Sequence, residues 1–127
     1  MASYDPSTPG GVLVAEWDEI RRELLLLAKR RGCRSTDFSR SIPCDWGPQS
    51  VIDPRFDMFF TSEGAWSYII ELLESGHEFT PEPMQKPPDT IAYKTIVDCG
   101  PNRPGLYIKV QLYKGKILGR SFHNCVR

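Results

Sequence analysis

Tyr107, Lys109, Arg120, Ser121 and His123 lie within seventeen residues of one another and are the residue types that handle a phosphodiester without a metal. Histidine exchanges protons near neutral pH, and tyrosine and serine hydroxyls donate and accept hydrogen bonds. Lysine and arginine carry the charge that stabilises a pentavalent phosphate. A His beside a Tyr and a Lys on a basic sheet has the means to activate a ribose 2′-hydroxyl against the adjacent phosphate. Tyr113 and Lys116 extend the same face with a ring on which a base can stack and a further cation.

Whether these side chains meet depends on strand register. The runs 106–113 and 116–123 alternate apolar and polar residues and are joined by Lys114-Gly115, the signature of a two-residue hairpin that pairs Tyr113 with Lys116. Unbroken pairing sets Lys109 opposite Arg120 and Tyr107 opposite Phe122. Like charges facing each other destabilise a sheet, so that pair suits an anion between them, or a solvated face on which the long side chains diverge. An isolated glycine in a strand often marks a bulge, and one at Gly119 sets His123 opposite Tyr107 and Ser121 opposite Lys109. Without it, His123 falls on the core side as a structural histidine. His77, after the glycine that ends a helix, reads as an exposed partner of that helix dipole.

The elements that would carry this face are legible by period. Residues 1–11 hold two prolines and two glycines and read as a flexible arm. Over 12–33, Leu13, Trp17, Ile20, Leu24 and Leu27 recur at helical spacing, with acids early and bases late. Residues 34–54 read as a packed loop, followed by a short helical turn over 55–60. A second helix spans 62–76, capped by Thr61 or Ser62 and ended by Gly76, with Trp66, Ile69, Ile70 and Leu73 as its stripe. Four prolines make 80–89 an extended strap. Three strands then fill 90–123. The expectation is one α+β domain: N-terminal helices packed on one face of a three-stranded antiparallel meander.

The 127 residues suit one domain, and 40% hydrophobic content suffices for a core. Equal numbers of acids and bases argue against a general nucleic-acid binder, and DNA is not expected as a partner. The balance hides a split. Residues 1–85 carry eight basic and fourteen acidic side chains, net −6, and 86–127 carry eight and two, net +6. Such asymmetry suits a polyanion-facing surface, or two halves that neutralise each other. No apolar run is long enough for a membrane span and no leader pattern opens the chain, so the expected compartment is the cytoplasm. Cys33, Cys44, Cys99 and Cys125 lack paired spacing and read as free thiols, with no metal and no cofactor expected. Nucleotide-loop, serine-hydrolase and zinc-protease motifs are absent.

Trp66-x-x-Ile69-x-x-Leu72-Leu73-x-x-Gly76, Leu106-Tyr107-Ile108-Lys109-Val110 and Ser121-Phe122-His123 together resemble the small ribonuclease toxins of toxin–antitoxin systems. The pattern is similar to the MqsR type, within the RelE-like or wider barnase/EndoU/colicin fold group. The resemblance implies a metal-independent endoribonuclease that cuts single-stranded RNA and is held inactive by a cognate antitoxin protein. It matches Tyr107 and Lys109 to the family's Tyr-x-Lys strand, sets His123 where MqsR-type toxins carry lysine, and makes Lys94 the nearest match to the family's basic residues on the first strand. The rival expectation is a non-catalytic interaction module, such as an immunity or antitoxin-like protein.

Overall fold

The computed structural model describes residues 9–125, with side chains from residue 16 onward. In chain order the elements are α1 (Pro9–Ala28), β1 (Arg34–Ser35), β2 (Asp45–Trp46), β3 (Ile52–Asp53), β4 (Met58–Phe59), α2 (Ser62–Glu74), β5 (Thr80–Met84), β6 (Thr90–Val97), β7 (Gly105–Tyr113) and β8 (Lys116–Cys125). Six strands make a mixed sheet in the order β1-β8-β7-β6-β5, with β2 also beside β8, while β3 and β4 form a separate hairpin.

The α+β class is as expected, but the sheet is larger than a three-stranded meander. The proline-rich strap contributes β5, an antiparallel edge strand paired with β6. Pro81 and Pro83 sit two residues apart, so both missing N–H groups fall on one side of the strand, and an edge strand tolerates that on its outer side. On the other edge, β1 and β2 pair parallel to β8 through two residues each. Segments so short carry no period. The expected helical turn over 55–60 is instead the β3–β4 hairpin, with Asp57 at positive φ. Arg55 fastens this hairpin to α2: its guanidinium pairs with buried Asp53 at 2.7 Å and with Glu71 at 3.0 Å, and donates to the Gly64 carbonyl at 3.1 Å.

Both helices form at the expected places with corrected ends. Pro9 opens α1 within the segment expected to be an arm, consistent with proline's fitness for a first helical turn, and residues 1–8 lie outside the described residues. The helix stops at Ala28 rather than 33 because the Arg34 side chain caps it, Nε donating to the Ala28 carbonyl at 2.7 Å. Residues Arg31–Cys33 then form a 3-10 turn into β1. In α2 the Thr61 hydroxyl accepts from Gly64 N–H at 2.9 Å, the N-cap geometry the sequence suggested.

Leu24, Ala28, Ala65, Trp66, Ile69 and Leu73 from the helices bury against Leu106, Ile108, Val110, Ile117 and Phe122 of β7 and β8. The helices therefore cover one face of the sheet. The other face carries the polar residues of the same strands. No helix among the described residues is long and apolar enough to cross a membrane.

Gly119 lies where Trp46 of β2 crosses β8. A Cβ there would stand 2.6 and 2.7 Å from Trp46 ring atoms and 2.9 Å from the Thr36 methyl. Trp46 cannot swing away, because it stacks on Trp66 and packs against Phe122. Gly119→Ala is expected to destabilise by about 1–3 kcal/mol, as overpacking of a well-filled core does, measured as a lower denaturation midpoint with an unchanged slope.

Candidate functional site

The hairpin at Lys114-Gly115 pairs Tyr113 with Lys116 as expected, and both turn residues have positive φ. From there the register holds to Val110 opposite Gly119, then shifts, so that Lys109 faces Ser121 and Tyr107 faces His123. The extra residue is Arg120. Of the two registers open to the sequence, the chain adopts the bulged one, and His123 stands on the face away from the helices.

The bulge dismantles the expected Lys109/Arg120 anion clamp. Arg120 is only 2% exposed. Its Nε donates to the Pro43 carbonyl at 3.0 Å, Nη2 to the Lys86 carbonyl at 2.7 Å and Nη1 to Gln111 Oε1 at 2.5 Å. The guanidinium thus ties the 36–44 loop and the 85–88 strap over one half of the outer face. Burial among neutral acceptors pulls its pKa below the ordinary arginine value. No substrate phosphate can reach it there.

The other half of the face is open, and there the residues converge. Tyr107 and His123 stack with ring centroids 5.2 Å apart and planes 17° from parallel. His123 Nδ1 lies 2.9 Å from the Asn124 carbonyl, which can only accept, so Nδ1 carries a proton and Nε2 is the nitrogen available for exchange. Nε2 is 3.3 Å from Asp45 Oδ2, an ion pair when the ring is protonated. Lys109 Nζ stands 5.7 Å from the centre of the Tyr107 ring. Ser121 joins this row in register with Lys109 and Asp45, but it is buried and lines the floor.

Lys94 and Lys109 are direct cross-strand partners. Two lysines so placed need an anion, and Glu82 of β5 provides it, Oε1 accepting from Lys94 Nζ at 3.0 Å and Oε2 forming an ion pair with Lys109 Nζ at 2.7 Å. Contact with Lys109, then with Lys94, holds the Glu82 carboxyl below the ordinary glutamate value, against the opposing effect of burial. Glu82 raises the Lys94 pKa in turn. Sequence reading missed Glu82 because nothing in Thr-Pro-Glu-Pro-Met announces a strand. Its position between two prolines of an extended segment was the one available signal.

A carboxylate whose pKa is lowered on folding contributes stability above its ordinary pKa, and that contribution disappears as pH falls through the lowered value. The wild type is therefore expected to lose stability with acidification below about pH 4.5 more steeply than Glu82→Gln, which has no proton to gain there. Denaturant midpoints measured against pH for both proteins check this.

The remaining expected residues do not join the site. Tyr113 and Lys116 lie at the hairpin end, about 20 Å along β7 from Tyr107 at the usual strand rise, beyond the half covered by loop and strap. His77 is partly buried rather than exposed, its Nε2 2.8 Å from Thr95 Oγ1 and its ring edge-on to Phe79. Cys33, Cys44 and Cys125 form no disulfide among the described residues. Part of the charge split is met by contacts between the halves: Glu82 with Lys94 and Lys109, Asp45 with His123, and Asp57 with Arg103 at 2.6 Å. What the arrangement offers chemically is two lysines sharing one carboxylate, beside an aromatic pair with one exchangeable imidazole nitrogen. Comparison with protein-family models, with curated proteins and with solved structures gives no match for this chain.

Proposed function

We propose that this protein is a metal-independent endoribonuclease of the MqsR/RelE-like toxin type, cutting single-stranded RNA on the open half of its outer sheet face. One observation carries the reading: the register shift at Arg120 sets His123 on Tyr107 and beside Lys109, away from the core. In this reading a substrate phosphate displaces Glu82 and lies between Lys94 and Lys109, whose charges stabilise the pentavalent phosphorus. His123 Nε2 takes the proton from the ribose 2′-hydroxyl as its oxygen bonds to phosphorus. The bond to the 5′-oxygen breaks, and the Tyr107 hydroxyl protonates the leaving oxygen. The products are a 2′,3′-cyclic phosphate and a 5′-hydroxyl. Arg120 has no part in the chemistry, and Ser121 supports the floor.

A second reading is favoured by a separate feature. The β3–β4 hairpin exposes three large apolar side chains, Phe56, Met58 and Phe59, at 66%, 67% and 62%. That suits a protein-binding module, or a docking surface for a cognate antitoxin. Induced expression in a bacterial host separates the two. The enzyme reading expects growth arrest by the wild type and its relief by His123→Ala at equal protein levels. A wild type that accumulates harmlessly as a folded protein would favour the module.

A further inference from the structure

Beside the lysine row, the outer face holds a depression of about 240 Å³ lined by Thr80, Lys94, Thr95, Ile96 and Tyr107. Ile96 and Tyr107 are cross-strand partners, and Ile96, which lies past the end of β5, is a large apolar side chain left 55% exposed. Its neighbours explain the placement. Strands lie about 4.8 Å apart, so Ile96, Tyr107 and His123 form an apolar and aromatic row parallel to the row of Lys94 and Lys109, in which the Tyr107 ring has one face on His123 and the other toward Ile96. One row suits a ring and the other a phosphate.

Resting on the ribonuclease reading, we propose that this depression is a nucleobase subsite, which takes the base of one unpaired nucleotide over Ile96 and against the Tyr107 face turned away from His123, while its phosphate is held by Lys94. Its volume falls just below the range of about 300–1,000 Å³ typical of pockets for drug-sized ligands, a size suited to a single ring system. Thr80, in register with Lys94 at the rim, brings a hydroxyl that both donates and accepts, as the polar edge of a base requires. The subsite selects single strands, because a base held in a duplex is stacked on both sides and cannot lie on a protein surface.

The test is an NMR titration of the folded wild type, in EDTA, with inorganic phosphate, ribose 5-phosphate and each of the four nucleoside 5′-monophosphates. At least one nucleotide is expected to bind about tenfold more tightly than ribose 5-phosphate, with the largest shifts at Ile96 and Tyr107, which is the order of gain that one base stack provides. Ile96→Ser is expected to erase that difference while leaving the affinity for inorganic phosphate unchanged, and Ile96→Leu to preserve it. Equal binding of ribose 5-phosphate and all four nucleotides would overturn the subsite, as would no binding of any probe. Cleavage of RNA by the same preparations is read independently. Cleavage with no contribution from the base removes the subsite alone, whereas nucleotide binding in a protein that cuts no RNA keeps the subsite and removes the nuclease.

Discussion

Arg120→Ala is expected to destabilise the fold by about 2–4 kcal/mol, the large end of single substitutions, because it breaks a buried hydrogen-bond network and leaves a cavity. The guanidinium serves three acceptors on three separate segments: the Pro43 carbonyl in the loop, the Lys86 carbonyl in the strap, and Gln111 Oε1 on β7. Truncation leaves the buried Gln111 Oε1 and two partly buried carbonyls without this donor and opens a cavity the length of an arginine side chain, and a buried group left unsatisfied alone costs about 1–3 kcal/mol. Combining Arg120→Met with Gln111→Leu removes the side-chain acceptor together with its donor, and also removes Gln111 Nε2, which is buried with no hydrogen-bond partner among the described residues. That double variant is expected to recover part of the loss, the two backbone carbonyls accounting for the rest. Denaturant unfolding of the wild type and both variants provides the comparison. If Arg120→Ala unfolds at the wild-type midpoint, the loop and strap are not held by this residue.

His123→Ala is expected to slow RNA cleavage by about 10²–10⁴-fold, the usual contribution of one positioned acid or base. The fold should survive, because the ring is partly exposed and its partners, Asp45 and the Tyr107 face, lie at the surface. Tyr107→Phe keeps the stacked ring and deletes only the hydroxyl, so it divides the two roles of the tyrosine: a rate near wild type assigns it to stacking, and a loss of similar size to that of His123→Ala assigns it to proton donation. Single-turnover rates on one labelled oligonucleotide, with circular dichroism to confirm folding, supply both answers.

The sequence exposed the parts of this molecule whose patterns are long. Two helices and the alternation of β6 to β8 were readable because each repeats a period over eight or more residues, and the tight turn at Lys114-Gly115 was readable from its glycine between two alternating runs. The two-residue strands β1 and β2 carry no period, and they join the sheet only because β8 offers a free edge and Trp46 reaches the core. For the candidate site, Tyr107, Lys109 and His123 were legible as types, but their meeting depended on whether Gly119 marked a bulge. The physical reason for that shift lies elsewhere in the chain: Trp46 requires a glycine beneath it, and Pro43 and Lys86 offer acceptors to the extra arginine. Arg120 was misread for the same reason, since a cation on a strand looks like a ligand until the groups that bury it are known. Glu82 shows the opposite error, a carboxylate hidden in a proline-rich segment that the sheet recruits to two lysines.

In the proposed function this half-open sheet face cleaves RNA by its own side chains. Incubating a labelled single-stranded RNA with wild-type protein in excess EDTA, and identifying the new ends by mass spectrometry, tests it directly. The expected result is cleavage that leaves 2′,3′-cyclic phosphate and 5′-hydroxyl ends, lost in His123→Ala and weakened in Lys109→Ala. Intact RNA after incubation with folded wild-type protein, or cleavage that persists undiminished in His123→Ala, would contradict it.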